Sequence, residues 1–104
     1  MTVVRDIHCE SMAQVREHID ALDEQIVALL AQRTRFMTQA ARIKQRADQV
    51  HDQARIDFIV ERVSRQARAL GMPESVVQAA YRALIGASID FEHTEFARLR
   101  GQEH

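Results

Sequence analysis

The chain has 104 residues, enough for one domain, with 46% hydrophobic and 28% charged residues but only three glycines and one proline, a balance that suits a helical protein with no sheet. A formal net charge of −1 argues against a nucleic-acid binder, so any anion site must be a local cluster of cations on a neutral background. One cysteine excludes an internal disulfide, and no apolar run approaches a signal peptide or membrane span, so the expectation is a cytoplasmic protein with no membrane or nucleic-acid partner.

After an N-terminal segment over 1–11, the first helix is expected over 12–47. Ser11 can cap it, with Gln14 completing a capping box. Stepping by four and three from Val15 gives Ile19, Leu22, Ile26, Leu29, Arg33, Phe36, Ala40, Ile43 and Ala47, a heptad-like stripe in which a single member is charged. A guanidinium in an apolar seam is costly unless an acidic partner or an anionic ligand meets it. Arg33, Met37, Ala40 and Lys44 share one helical face, with the two cations about three turns apart.

The polar stretch Asp48 to His51 interrupts the pattern. A second helix is expected over 52–70, with Asp52 as its cap, Ile56, Ile59, Val60, Val63, Ala67 and Leu70 on its apolar face, and Gly71 as its end. A third is expected over 73–100, with Pro73 in its first turn and Val77, Tyr81, Leu84, Ile85, Ser88, Ile89, Glu92, Phe96 and Leu99 on one side. Ser88 and Glu92, four apart, lie one above the other on that side and are misplaced for a pure core.

A first helix of about 50 Å exceeds what two shorter helices of one small globule cover. Self-association is the economical answer, with two first helices antiparallel about a twofold axis near Ala28 and the other helices folded over the pair. Arg16 lies 17 positions before Arg33, about 25 Å on a straight helix and too far to share one small ligand within a chain. In the antiparallel pair, Arg16 of one chain comes level with the midpoint of Arg33 and Lys44 of the other, giving two sites that each borrow an arginine. A monomeric three-helix bundle with a frayed first helix is the alternative.

Taken together, Arg16-Glu17-His18-Ile19-Asp20-Ala21-Leu22-Asp23, the arginine after Leu29-Leu30-Ala31-Gln32, Lys44 eleven positions later and Arg55 opening the second helix resemble the all-helical chorismate mutase family, from about Met12 to Phe96. Cys9 and the short linker between Lys44 and Arg55 look most like its isochorismate pyruvate lyase branch. The resemblance implies an intertwined all-α homodimer and a pericyclic reaction that needs no cofactor, metal, nucleophile or general base. Catalysis then rests on holding the enolpyruvyl arm over the ring and stabilising charge that develops on the ether oxygen.

By that resemblance, Arg33 and the partner's Arg16 clamp carboxylates, and Lys44 donates to the ether oxygen and a carboxylate. Arg55, with Asp52 just before it, closes the ring end. Ser88 matches a serine that contacts a substrate carboxylate, and Glu92 stands where many bacterial members carry glutamine and fungal ones glutamate. A glutamine amide donates at any pH, whereas a glutamate must be protonated to do so. Many mutases place an acidic or amide residue directly after the second-helix arginine to bind the ring hydroxyl; here it is Ile56, as an aliphatic residue is in the lyase branch. The usual proline before the linker turn is also missing.

The expectation is therefore a chorismate mutase, with an isochorismate pyruvate lyase, an amino-chorismate mutase or a non-catalytic helical dimer module as alternatives. Each residue also has an ordinary reading. Arg33 can be a structural ion pair, Lys44 a solvated lysine, Ser88 a small residue at a close helix approach, and Glu92 a surface charge. The five histidines show no metal-ligand spacing, and Cys9 reads as structural rather than nucleophilic.

Overall fold

The computed structural model describes residues 7–101. Three α-helices follow one another, α1 (Met12–Ile43), α2 (Gln53–Ala69) and α3 (Glu74–Leu99), with a short 3-10 turn at Ala47–Gln49 between the first two. No strand occurs among the described residues, so the all-α class with a long first helix is as expected. None of these helices is long and apolar enough to cross a membrane.

α1 is divided between two compact units at Arg33 and Thr34. In the first unit, Ser11 Oγ accepts from the Gln14 N–H at 3.3 Å, and Gln14 Oε1 accepts from the Glu10 N–H at 2.7 Å. These bonds satisfy donors that have no partner inside the helix, a capping box shifted back by one residue. The apolar stripe of this unit lies largely in solvent: Ile19, Leu22, Ile26, Val27 and Leu29 are all about half exposed or more. Cys9 is half-buried, and its sulfur lies 3.5 Å from the Ile7 carbonyl oxygen.

In the second unit α2 packs against α3, burying Val60, Ser64 and Ala67 on one side and Ile85 on the other. Asp52 caps α2 as expected, its Oδ1 accepting from the Arg55 N–H at 3.1 Å. Gly71, at φ 71°, ends it. Its N–H reaches the Arg68 carbonyl at 3.1 Å while the Met72 N–H reaches that of Ala67 at 2.8 Å, a paired closure that needs the left-handed backbone glycine adopts without strain. Leu70, placed on the apolar face by its spacing, is exposed because the chain turns away there. Pro73 precedes α3 as its N-cap rather than opening it, and α3 runs from Glu74 to Leu99.

The first helix ends at Ile43, four residues short of the expected 47. Val50 is buried with Ala41 and Phe96, with Ile89 packed against them. A helix continued through Ala47 would carry Val50 away from that cluster. Instead Arg46 takes an extended conformation, and Gln49 Oε1 folds back to accept from the N–H groups of Gln45 and Arg46 at 2.9 and 3.1 Å. Burying Val50 is worth about 1.5–3 kcal/mol, more than an extra helical turn on an exposed surface provides. Ala47 thus leaves the stripe altogether.

Candidate functional site

Lys44 is the residue at which α1 stops. Its N–H still reaches the Ala40 carbonyl at 3.0 Å, but the chain then turns, so its side chain is directed by the end of the helix rather than along it. Nζ lies 2.7 Å from Glu92 Oε2, joining residues 48 apart in sequence. Glu92 is 4% exposed, which rules out the surface reading for it. Lys44 is partly covered, so its ammonium is shared between the carboxylate and solvent. The chain's 14 basic residues include only this one lysine. An ammonium is a compact point donor that suits a single oxygen, whereas the guanidinium fork suits a whole carboxylate.

Ser88 is half-buried one turn before Glu92 on α3. A second carboxylate, Glu95, is buried three residues after Glu92 and ties α3 to α1, accepting from Thr38 Oγ1 at 2.8 Å and from Arg98 Nε at 2.6 Å. The Arg98 hydrogen bond first, and that of Thr38 second, hold its carboxyl below the ordinary value of 4.5 against the opposing effect of burial. Thr38–Glu95 and Lys44–Glu92 are successive polar ties between the end of α1 and the last third of α3.

Asp52 and Lys44 line one open hollow of about 630 Å³, with Ile43, Gln49, His51 and Gln53 around them. An adjoining hollow of about 420 Å³ is walled by His51, Gln53, Ile56, Arg82, Ile85, Ile89 and Asp90, so Ile56 contributes an aliphatic surface there beside polar and charged groups. Arg55 is exposed in the first turn of α2, its guanidinium 5.2 Å from the centroid of the Phe58 ring. A separate cleft of about 290 Å³ between α2 and α3 contains none of the expected site residues. Its polar groups bond one another, Arg68 to Glu74 at 2.8 Å and Gln78 to Ser64 at 3.0 Å.

Arg16 is exposed and Arg33 half-buried, both in the first unit, while Lys44, Asp52, Arg55, Ser88 and Glu92 belong to the second. Within the second unit the fold joins Lys44 to Glu92 directly and sets Asp52 beside Lys44 around one hollow. Sequence reasoning missed Glu95, the hollow-lining Gln49, His51 and Gln53, and Arg100, whose guanidinium lies 3.5 Å from the centroid of the Phe96 ring. For Arg100 the four-residue spacing from an aromatic was the available signal.

The arrangement sets a point cation at the rim of a hollow, backed by a buried carboxylate that accepts from it. The family model described as chorismate mutase type II matches residues 15–93, a span that takes in Arg16, Arg33, Lys44, Asp52, Arg55, Ser88 and Glu92. No curated protein matches the chain.

Proposed function

The chain belongs to the chorismate mutase type II family, and on that premise we propose that it is an isomerase converting chorismate to prephenate. In this reading the substrate's two carboxylates are gripped by Arg33 and by Arg16 of the partner subunit, and the enolpyruvyl arm is held over the ring. Lys44 donates to the ether oxygen as the carbon–oxygen bond breaks and the new carbon–carbon bond forms. Glu92, in its protonated form, is the second donor to that oxygen, Ser88 meets a carboxylate, and Arg55 with Asp52 closes the ring end. Proximity and a preorganised donor pair supply the rate enhancement, without cofactor or metal.

The observation that carries this reading is the contact between Lys44 and Glu92. A buried carboxylate on α3, at the position of the family's second donor, meets the cation at the end of α1 across 2.7 Å.

The homodimer belongs to the same proposal. Ile19, Leu22, Ile26 and Leu29 expose an apolar stripe on α1, and Phe36 and Ile43, further along it, are also exposed. An apolar stripe of this kind on a soluble chain calls for a partner. A second copy, antiparallel about an axis near Ala28, covers it and supplies Arg16 at the same time.

A second reading, isochorismate pyruvate lyase, is favoured by one observation. Ile56 directly follows Arg55, at the position where many mutases carry an acidic or amide residue for the ring hydroxyl and the lyase branch an aliphatic one. Giving the purified protein chorismate and isochorismate in parallel separates the readings. Prephenate from the first supports the mutase, salicylate with pyruvate from the second supports the lyase, and no product from either leaves an amino-chorismate mutase or a non-catalytic helical dimer.

A further inference from the structure

The end of α1 is held by a residue to which none of these roles has been given. Arg100, the C-cap of α3, donates through Nη1 to the carbonyl oxygens of Ala41 at 3.0 Å and Phe96 at 3.3 Å, and through Nη2 to the carbonyl oxygen of Lys44. Its guanidinium stacks over the Phe96 ring, and the side chain is half-buried. The last carbonyls of a helix have no partner within it, and a cation is favoured there by the helix dipole. A planar fork holds two carbonyls at once in a fixed relation, whereas the donors of an ammonium rotate freely.

The consequence falls on Lys44. Its N–H is tied to Ala40 at 3.0 Å, its carbonyl to Arg100, and its Nζ to Glu92 at 2.7 Å. Arg100 and Glu92 both come from α3, so the lysine is fixed at main chain and side chain by the same helix. Without Arg100 its main chain would keep only the bond back to Ala40, at the point where the chain has already left the helix. Arg100 lies beyond the segment that matches the family, residues 15–93.

We propose that Arg100 is a positioning residue for Lys44, locking the end of α1 so that the lysine's ammonium is presented to the substrate at one place. The proposal rests on the reading that Lys44 donates to the reacting ether oxygen, and its test is built to separate the two. Because Lys44 is the sole lysine, labelling with Nζ-15N lysine gives one side-chain signal, readable without any turnover.

In folded Arg100→Ala protein, that signal should shift and its protons should exchange faster with water. With the substrate that the wild type accepts, kcat should fall about 10- to 100-fold while KM changes less than about threefold, as expected for a misplaced catalytic group. In a Lys44→Ala background the same change should add less than about twofold, because the group being positioned is gone. Arg100→Gln, whose single amide holds fewer carbonyls and adds no second lysine, should keep more stability than the alanine variant but not the wild-type Lys44 signal, and it carries the test if the alanine variant does not fold. A Lys44 signal and exchange rate that are the same in wild type and in the folded variants, or effects of Arg100→Ala and Lys44→Ala that multiply in full, would overturn the proposal. If the wild type turns over neither chorismate nor isochorismate, the functional reading falls, while the lysine signal still decides the role of Arg100.

Discussion

Lys44 Nζ and Glu92 Oε2 lie 2.7 Å apart, with the carboxylate buried and the ammonium partly open to the hollow. The pair therefore has one closed side and one accessible side, the side from which a ligand oxygen can approach the ammonium.

Replacing Lys44 with alanine should lower turnover on the order of 100- to 1,000-fold, the scale on which a single preorganised donor to a developing oxyanion acts. It should also destabilise the fold by about 1–3 kcal/mol, because the buried Glu92 carboxylate loses its partner. Steady-state kinetics and thermal unfolding of one preparation check both. An inert substitution would remove Lys44 from the reaction.

For Glu92 the prediction is a change in shape rather than only in rate. If Glu92 donates to the ether oxygen it does so only when protonated, and wild-type activity then declines as pH rises, whereas Glu92→Gln, whose amide donates throughout, gives a flatter profile. Rate measurements across pH on both proteins decide it. Two superimposable profiles would take Glu92 out of the chemical step.

Arg33→Ala should cost about 2–4 kcal/mol in kcat/KM through loss of a charge-assisted carboxylate contact. If Arg33 serves catalysis rather than packing, the loss in kcat/KM should clearly exceed the loss in folding stability. A large loss of stability with little loss of activity would favour a structural ion pair instead.

The proposed sharing of the site between subunits makes a prediction by complementation. Arg16→Ala and Lys44→Ala homodimers should each be nearly inactive, but mixing and reassembling them should restore about a quarter of wild-type activity, because half the dimers are mixed and each mixed dimer keeps one intact site. Leu22→Glu together with Ile26→Glu should yield monomers by sedimentation and abolish activity. Failure to complement in mixtures shown to exchange subunits would place Arg16 outside the neighbouring site.

Glu95 predicts an acid limb of stability. Its carboxyl is held below 4.5 by the Arg98 and Thr38 hydrogen bonds, so the folded state binds its proton less readily than the unfolded chain. Its contribution is thus fully present above the unfolded value and is lost as pH falls through the lower folded value. Glu95→Gln should be less stable than wild type at neutral pH, with the gap closing below about pH 4.5. Denaturant titrations at several pH values measure it.

Much of the fold was legible because it is written in local periods. A stripe repeating every three to four residues, a Ser11–Gln14 cap, Asp52 before α2 and Gly71 after it are properties of neighbouring residues, and the helices they announce are the ones observed. Arg33 and Lys44 stood out by their spacing, whereas the roles given to Arg16 and Arg55 came from the resemblance to the family, whose match spans all four. What tertiary structure decided were the outcomes of long-range competition. α1 ends at Ile43 rather than at Ala47 because Val50 is drawn into a cluster with Phe96, and Glu92 is buried because Lys44 arrives from a point 48 residues away. Arg100 has a role because carbonyls at the end of another helix come within its reach. A local pattern can say which face of a helix is apolar, but whether a given charge on that face meets solvent, a partner or a ligand depends on energies shared between segments that only folding brings together.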